Sequence, residues 1–238
     1  MCLHISLNAL HEEIIDRYDR SFEEEMDWFY FPTYHKCGLY MSDELMIVPM
    51  DRPDHLNFSF WGNILNWGPT EDLNTAVQFQ KIYQVESEYC LQNHKYAELV
   101  RYKRCLIIAD GYFSPDFYNS EDHPRFYYQK NEDNFEGRSI FSFAGIYEES
   151  CRVYNCAILT TQLECPYDNG QEKVKRVPVV LDRSFEEEWL RKDLDDAGIE
   201  NLLKYGRTKE RFQHQFVSYD IYKKDLDTNK PYIIQSKK

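Results

Sequence analysis

No stretch of this sequence approaches the roughly 18 consecutive apolar residues that a membrane-spanning helix needs. Its first residues also lack the basic start and unbroken apolar run of a secretory leader. Glycine and proline are scarce, nine of each in 238 residues, and no low-complexity run occurs, so the chain reads as folded and not disordered. No GxGxxG or GxxxxGK[ST] is present, and the seven histidines show no HxxxH or HExxH spacing. We therefore expect neither a cofactor nor a metal. Seven cysteines, at positions 2, 37, 90, 105, 151, 156 and 165, form an odd set without a CxxC pair, which argues against a disulfide framework and fits a reduced, cytoplasmic protein. Positive charge is also in short supply: 28 basic against 41 acidic residues gives −13. Phosphate binding draws on Lys and Arg, so this balance disfavours a nucleic-acid surface except where VRYKR and KVKR concentrate basic groups.

What the chain has in quantity is aromatic residues, 19 Tyr and 15 Phe within a hydrophobic content of 42%, enough for a sizeable core. Leu10, Ile14, Ile15 and Tyr18 recur on one face of an amphipathic helix over 8–20. A second helical pattern covers about 87–101. Ser184 with Glu187 forms a capping box that opens a helix through Leu190, and another helix follows over 194–205. Between these ends lie β-branched and aromatic runs at 43–50, 105–113, 125–129, 139–149, 155–163 and 177–182, with a last strand at 212–222. DRSFEEE occurs at 19–25 and again at 182–188, but the flanking residues differ, so it is a reused surface pattern and not a repeat. The expectation is α+β: a single domain over 1–225 around a strongly curved mixed β-sheet with flanking helices. Residues 226–238 read as a loosely held tail. A monomer without a membrane association is expected.

The opening MCLHIS raises a chemical question. If Met1 is removed, Cys2 carries an α-amine titrating near ~8 beside a thiol near ~8.5, both partly nucleophilic at neutral pH. Such an aminothiol condenses with an aldehyde: the amine forms an imine and the sulfur closes a thiazolidine ring. A lone cysteine is a weak signal. Other segments follow it in order: Trp61, Gly62 and Trp67 in a WG…W stretch, LNTA at 73–76, KRCLIIADGYF at 103–113, FSFAGIYE at 141–148, AILTT at 157–161 and KRVPVVL at 175–181. This order and spacing resemble the SRAP family, the SOS response-associated peptidases or abasic-site processing proteins, over nearly the whole chain.

The resemblance implies a pseudo-barrel fold, removal of Met1 by the protein itself, and covalent attachment of Cys2 to the ring-opened sugar of an abasic site in single-stranded DNA. By position, Cys2 matches the family nucleophile, Asn74 the pocket asparagine and Arg176 the phosphate-binding arginine. Trp67 matches the second Trp of the WG…W motif, and Thr160 with Thr161 matches the paired threonines. The family glutamate falls on Ser114 and the family histidine on Val174, while two arginines fall on His4 and Ala76. His4, near Cys2, and Asp116, two residues past Ser114, are candidate replacements for the lost acid–base pair. Lys173 and Lys175 flank Val174 and can supply positive charge. Ordinary structural roles stand beside these: Asn74 as a turn or cap residue, Arg176 paired to a surface acid, Trp67 in the core. Two functions follow, an abasic-site crosslinker or a catalytically degenerate relative that binds a protein partner.

Overall fold

The computed structural model describes residues 4–22, 30–37, 44–62, 82–115, 123–150, 153–162, 176–223 and 225–236. In chain order the elements begin with β1 (His4–Leu7), α1 (His11–Tyr18), β2 (Ser21–Phe22), β3 (Thr33–Cys37), β4 (Glu44–Pro49) and β5 (His55–Trp61). They continue with β6 (Gln84–Glu86), α2 (Ala97–Tyr102), β7 (Arg104–Ala109), β8 (Gly111–Pro115), β9 (Pro124–Tyr128) and β10 (Phe141–Ser150). The last are β11 (Val153–Gln162), β12 (Arg176–Pro178), α3 (Glu186–Trp189), α4 (Asp196–Tyr205) and β13 (Gln213–Phe216).

The long apolar strands close into a barrel. Antiparallel pairs join β11 to β10, β10 to β7, β7 to β4 and β4 to β5, and a parallel pairing of β5 with β11 completes the ring. Five closed strands leave no edge among themselves. β4 and β7 are buried along almost their whole length, as expected where one face fills the barrel and the other is covered. Ile47, Ile107, Phe143 and Ile158 belong to this core. A second sheet of five strands, ordered β13-β9-β8-β1-β3, lies beside it and carries a smaller apolar cluster around Phe113 and Phe126. The architecture is the α+β curved mixed sheet expected, with helices at its flanks.

One expected strand divides. The run 105–113 breaks at Asp110, sending β7 into the barrel and β8 into the second sheet. Asp110 is buried, and its carboxylate accepts hydrogen bonds from the Ser6 hydroxyl, from the Asn8 backbone N–H at 3.0 Å and from Arg138 at 2.7 Å. Gly111 follows because a β-carbon there would collide with the Phe126 ring.

Other expectations shift locally. Of the helix over 87–101 only α2 forms. The Asn93 side chain accepts from the Lys95 N–H at 3.0 Å, a local bond that competes with helix formation in a stretch otherwise made of turns. Ser184 does not cap. Asp182 does, accepting from the Ser184 N–H at 3.0 Å and opening a short 3-10 turn before α3. The strand 212–222 ends at Phe216, and the buried Ser218 caps a 3-10 turn over Tyr219–Tyr222. The segment expected to hang loosely is docked instead. Ile233 and Ile234 enter the smaller cluster, Asn229 accepts from the Tyr34 N–H at 2.8 Å, and Gln215 donates to the Ile234 carbonyl. Burial of two isoleucines contributes about 3–6 kcal/mol at ordinary transfer values, ample to hold a dozen residues of chain against the sheet.

Candidate functional site

β1, the first described strand, is an inner strand of the second sheet. It runs antiparallel between β3 and β8, with His4 opposite Cys37 on one side and Phe113 on the other. Ser6 and Asn8 fix its far end through Asp110. That carboxylate is in turn held by Arg138, whose other nitrogen reaches Glu136 at 3.3 Å. Asn8 Nδ2 also donates to Glu136 at 2.5 Å. The strand is thus anchored by charge-assisted bonds at one end and by a histidine pair at the other.

That pair joins the titratable side chains of β1 and β3. His4 Nδ1 lies 2.8 Å from His35 Nε2, and His35 Nδ1 lies 2.6 Å from the Thr228 hydroxyl. The rings stack at 5.1 Å between centroids, and Cys37 Sγ is 4.0 Å from His4 Nε2. Burial pushes the His4 imidazole down to about 4. Burial, reinforced by neighbouring His4, pushes His35 down to about 3. Both rings are therefore neutral at physiological pH, and a single shared proton lies between them. The burial that keeps both rings neutral also opposes their taking up a proton, so in this structure neither is tuned as a general base near pH 7.

Of the residues singled out from sequence, Cys2, Trp67, Asn74, Ala76, Asp116, Lys173, Val174 and Lys175 lie outside the described residues. Ser114 is described on β8, paired in register with Arg125 and immediately after Phe113. It is 1% exposed, and its hydroxyl has no hydrogen-bond partner among the described residues. A buried orphan hydroxyl is costly, by about 1–3 kcal/mol, and marks a place where a polar group would be welcome. His4 and Ser114 thus share the β1–β8 pair.

Arg176 sits elsewhere, on the edge strand β12 of the barrel sheet. Its guanidinium donates to Glu88 at 2.6 Å and to the Thr160 carbonyl at 2.7 Å, and Glu86 lies 3.7 Å away. Thr160 also accepts from Arg176 Nε at 3.1 Å, and Thr161 donates to Glu88 at 3.0 Å. Burial alone would raise the Glu88 carboxyl. Bonds from Arg176, the Gln162 N–H and Thr161 outweigh it and hold the group below its usual range. The two threonines and Arg176 therefore form one network, as their shared motif suggests, with Glu88 as a member that the sequence did not disclose. His35 and Thr228 were likewise unmarked.

Away from both places, α1 and β10 border an acidic cleft of about 450 Å³ lined by residues that include Glu13, Asp16, Gln129, Phe141 and Glu210. None of the described candidate site residues, His4, Ser114, Thr160, Thr161 and Arg176, lines it. Among the described residues no group of three or more His, Cys, Asp or Glu is arranged to hold a metal, and no helix is long and apolar enough to cross a membrane.

A small closed barrel extended by a second sheet that holds β1 between β3 and β8 defines a single-domain α+β protein. The family model described as SOS response associated peptidase (SRAP) matches residues 1–224, and the chain belongs to that family. It is similar to a crystal structure of a protein from Bacteroides thetaiotaomicron, with 25% identity, a TM-score of 0.77, and coverage of 99% of this chain and 100% of the other. A protein from Bordetella bronchiseptica shares 17% identity and a TM-score of 0.63 over 91% of this chain and all of its own. A phage-related protein of that organism shares 18% and 0.62 over 91% and 94%. No curated protein matches.

Proposed function

We propose that this chain, once freed of Met1 by its own activity, captures the aldehyde of an abasic site in single-stranded DNA through Cys2. The amine adds to the aldehyde carbon and one water leaves, giving an imine. The thiol then adds across the carbon–nitrogen double bond, sulfur to carbon and proton to nitrogen, closing the thiazolidine. In this reading Asn74 orients the amine, Trp67 fills the space of the missing base, and Arg176 with Lys175 faces flanking phosphate. His4 and Asp116 are the candidates for carrying protons during ring opening in place of the family's acid–base pair, and for His4 this requires its depressed value to rise when the substrate is bound.

The observation that carries the proposal is the family match, which runs from the first residue and so takes in Cys2. One further point supports it: β1, whose first residue His4 follows Cys2 by two positions in the sequence, is clamped in register on the strand that carries the orphan hydroxyl of Ser114. A second reading, a family member acting as a binding module without turnover, is favoured by Ser114 at the glutamate position and by the acids that occupy Arg176. The test uses protein whose intact mass shows a free Cys2 amine, incubated with an abasic oligonucleotide. A heat-stable conjugate is expected for wild type and none for Cys2→Ala. Absence of conjugate from both rejects the crosslinking reading.

A further inference from the structure

We propose that His123, Phe216, Tyr219 and Tyr222 form a stacking track for the bases of single-stranded DNA next to the capture site, an inference that rests on the nucleic-acid part of the reading above. The rings touch in sequence. Phe216 lies 5.9 Å from His123 between centroids, His123 lies 4.9 Å from Tyr219, and Tyr219 lies 6.5 Å from Tyr222. Tyr222 then meets His4 edge-on at 5.5 Å. The line therefore ends on the strand that begins two residues after Cys2.

These rings are presented to solvent and not absorbed by the core: Phe216, Tyr219 and Tyr222 are 41%, 44% and 43% exposed. Single exposed aromatics need no explanation, but a contiguous line of them does. Its support is rigid. Phe216 ends β13, whose register with β9 is set by pairs from Gln213 to Phe216, and the Ser218 hydroxyl accepts from the Asp220 N–H at 3.2 Å to fix the turn carrying Tyr219 and Tyr222. The Arg125 guanidinium sits 4.2 Å from the Phe216 ring centroid.

Charge on this face selects the mode of binding. Among the described residues, Arg125, Lys223 and Lys230 bring positive charge to it. Arg125 contacts the His214 ring at 3.1 Å, and Lys223 is paired with Asp220 at 2.7 Å. Asp227 is paired with Lys230 at 2.8 Å, and Asp225 adds a further acid nearby. Such a balanced surface releases few counterions, so affinity must come from ring faces. Base-on-ring stacking is the sequence-tolerant interaction that single strands offer. The continuity with His4 favours a DNA strand over a protein as the occupant.

The test measures anisotropy of a fluorescein-labelled undamaged (dT)12 with the full-length protein. Phe216→Ala, Tyr219→Ala and Tyr222→Ala are each expected to weaken binding between about fivefold and about a hundredfold, with little change in salt dependence. Tyr219→Trp should retain binding and Tyr219→Leu should not, which separates stacking from general apolar contact. Urea midpoints of all variants identify any that lose the fold. Wild-type affinity in all three alanine variants overturns the inference. So does self-association of wild type through this face without DNA binding. Conjugate formation with an abasic strand is scored in parallel. Cys2-dependent conjugates with no effect of the ring variants sink the track alone. Ring-dependent (dT)12 binding without any conjugate supports the track and rejects the capture reaction.

Discussion

Replacing Asp110 with alanine should be among the most damaging single changes to this protein, and its cost can be worked from the bonds it makes. The carboxylate is 1% exposed and receives the Ser6 hydroxyl, the Asn8 N–H and Arg138, itself nearly buried. Removing one partner of a buried ion pair costs about 3–5 kcal/mol because the other charge remains without compensation. Glu136 offsets part of this for Arg138, but the Asn8 N–H and Ser6 hydroxyl lose their acceptor. We expect a loss of about 4 kcal/mol from a total of roughly 5–15, and a melting temperature lower by about 8–16 °C at this chain length. Urea unfolding followed by fluorescence of the buried Trp61 and Trp189 reports it directly. Asp110→Ala combined with Arg138→Met should recover at least about 1 kcal/mol relative to the sum of the single changes. A single-variant loss below about 1 kcal/mol, or additivity in the double variant, would refute the claim that this ion pair clamps β1. Because Ser6 and Asn8 belong to the N-terminal strand and its exit, crosslinking should fall with stability in this series.

The histidine pair makes stability depend on pH in a defined direction. Both folded-state values are depressed, from 6.5 to about 4 for His4 and about 3 for His35, so the unfolded chain binds more protons between those limits. Their contribution is complete above pH 6.5 and drains away as pH falls toward 4 and 3. The urea midpoint should drop over that window more steeply in wild type than in a His4→Gln, His35→Gln double variant, and equal slopes would contradict the assignment. On the barrel edge, Glu88→Gln should loosen the hold on Arg176. If Arg176 reaches phosphate, binding of single-stranded DNA tightens and the salt slope steepens by about one. An unchanged slope removes Arg176 from the DNA surface.

The barrel was legible because its strands are made of β-branched and aromatic residues bounded by polar turns, and runs such as those at 139–149 and 155–163 have few competing conformations. The order of short motifs was legible as a family pattern. β3 was not, since TYHKC shows no alternation and gains its order from pairing with β1. The break at Asp110 was also hidden. Both halves of 105–113 are buried, and the partners that bend the chain there lie 28 and more than 100 positions away. Arg176 likewise meets acids from 86–88, which no local pattern connects to it. His35 owes its neutral state to burial and then to a neighbour 31 residues off, and it bonds a hydroxyl 193 residues off. Such sites are assembled by topology, and the sequence records their members without their adjacency.

The bond between His35 and Thr228 has a biosynthetic consequence. Those 193 positions take about 10–40 s to be translated at 5–20 residues per second. Throughout that interval the nascent strand bearing His35 lacks one of its partners, so the second sheet reaches its final form only after residue 228 has been added. The residue that the proposed reaction needs is thus made first, while the sheet that frames its strand is completed last, so self-removal of Met1, if it draws on that sheet, must follow translation of residue 228.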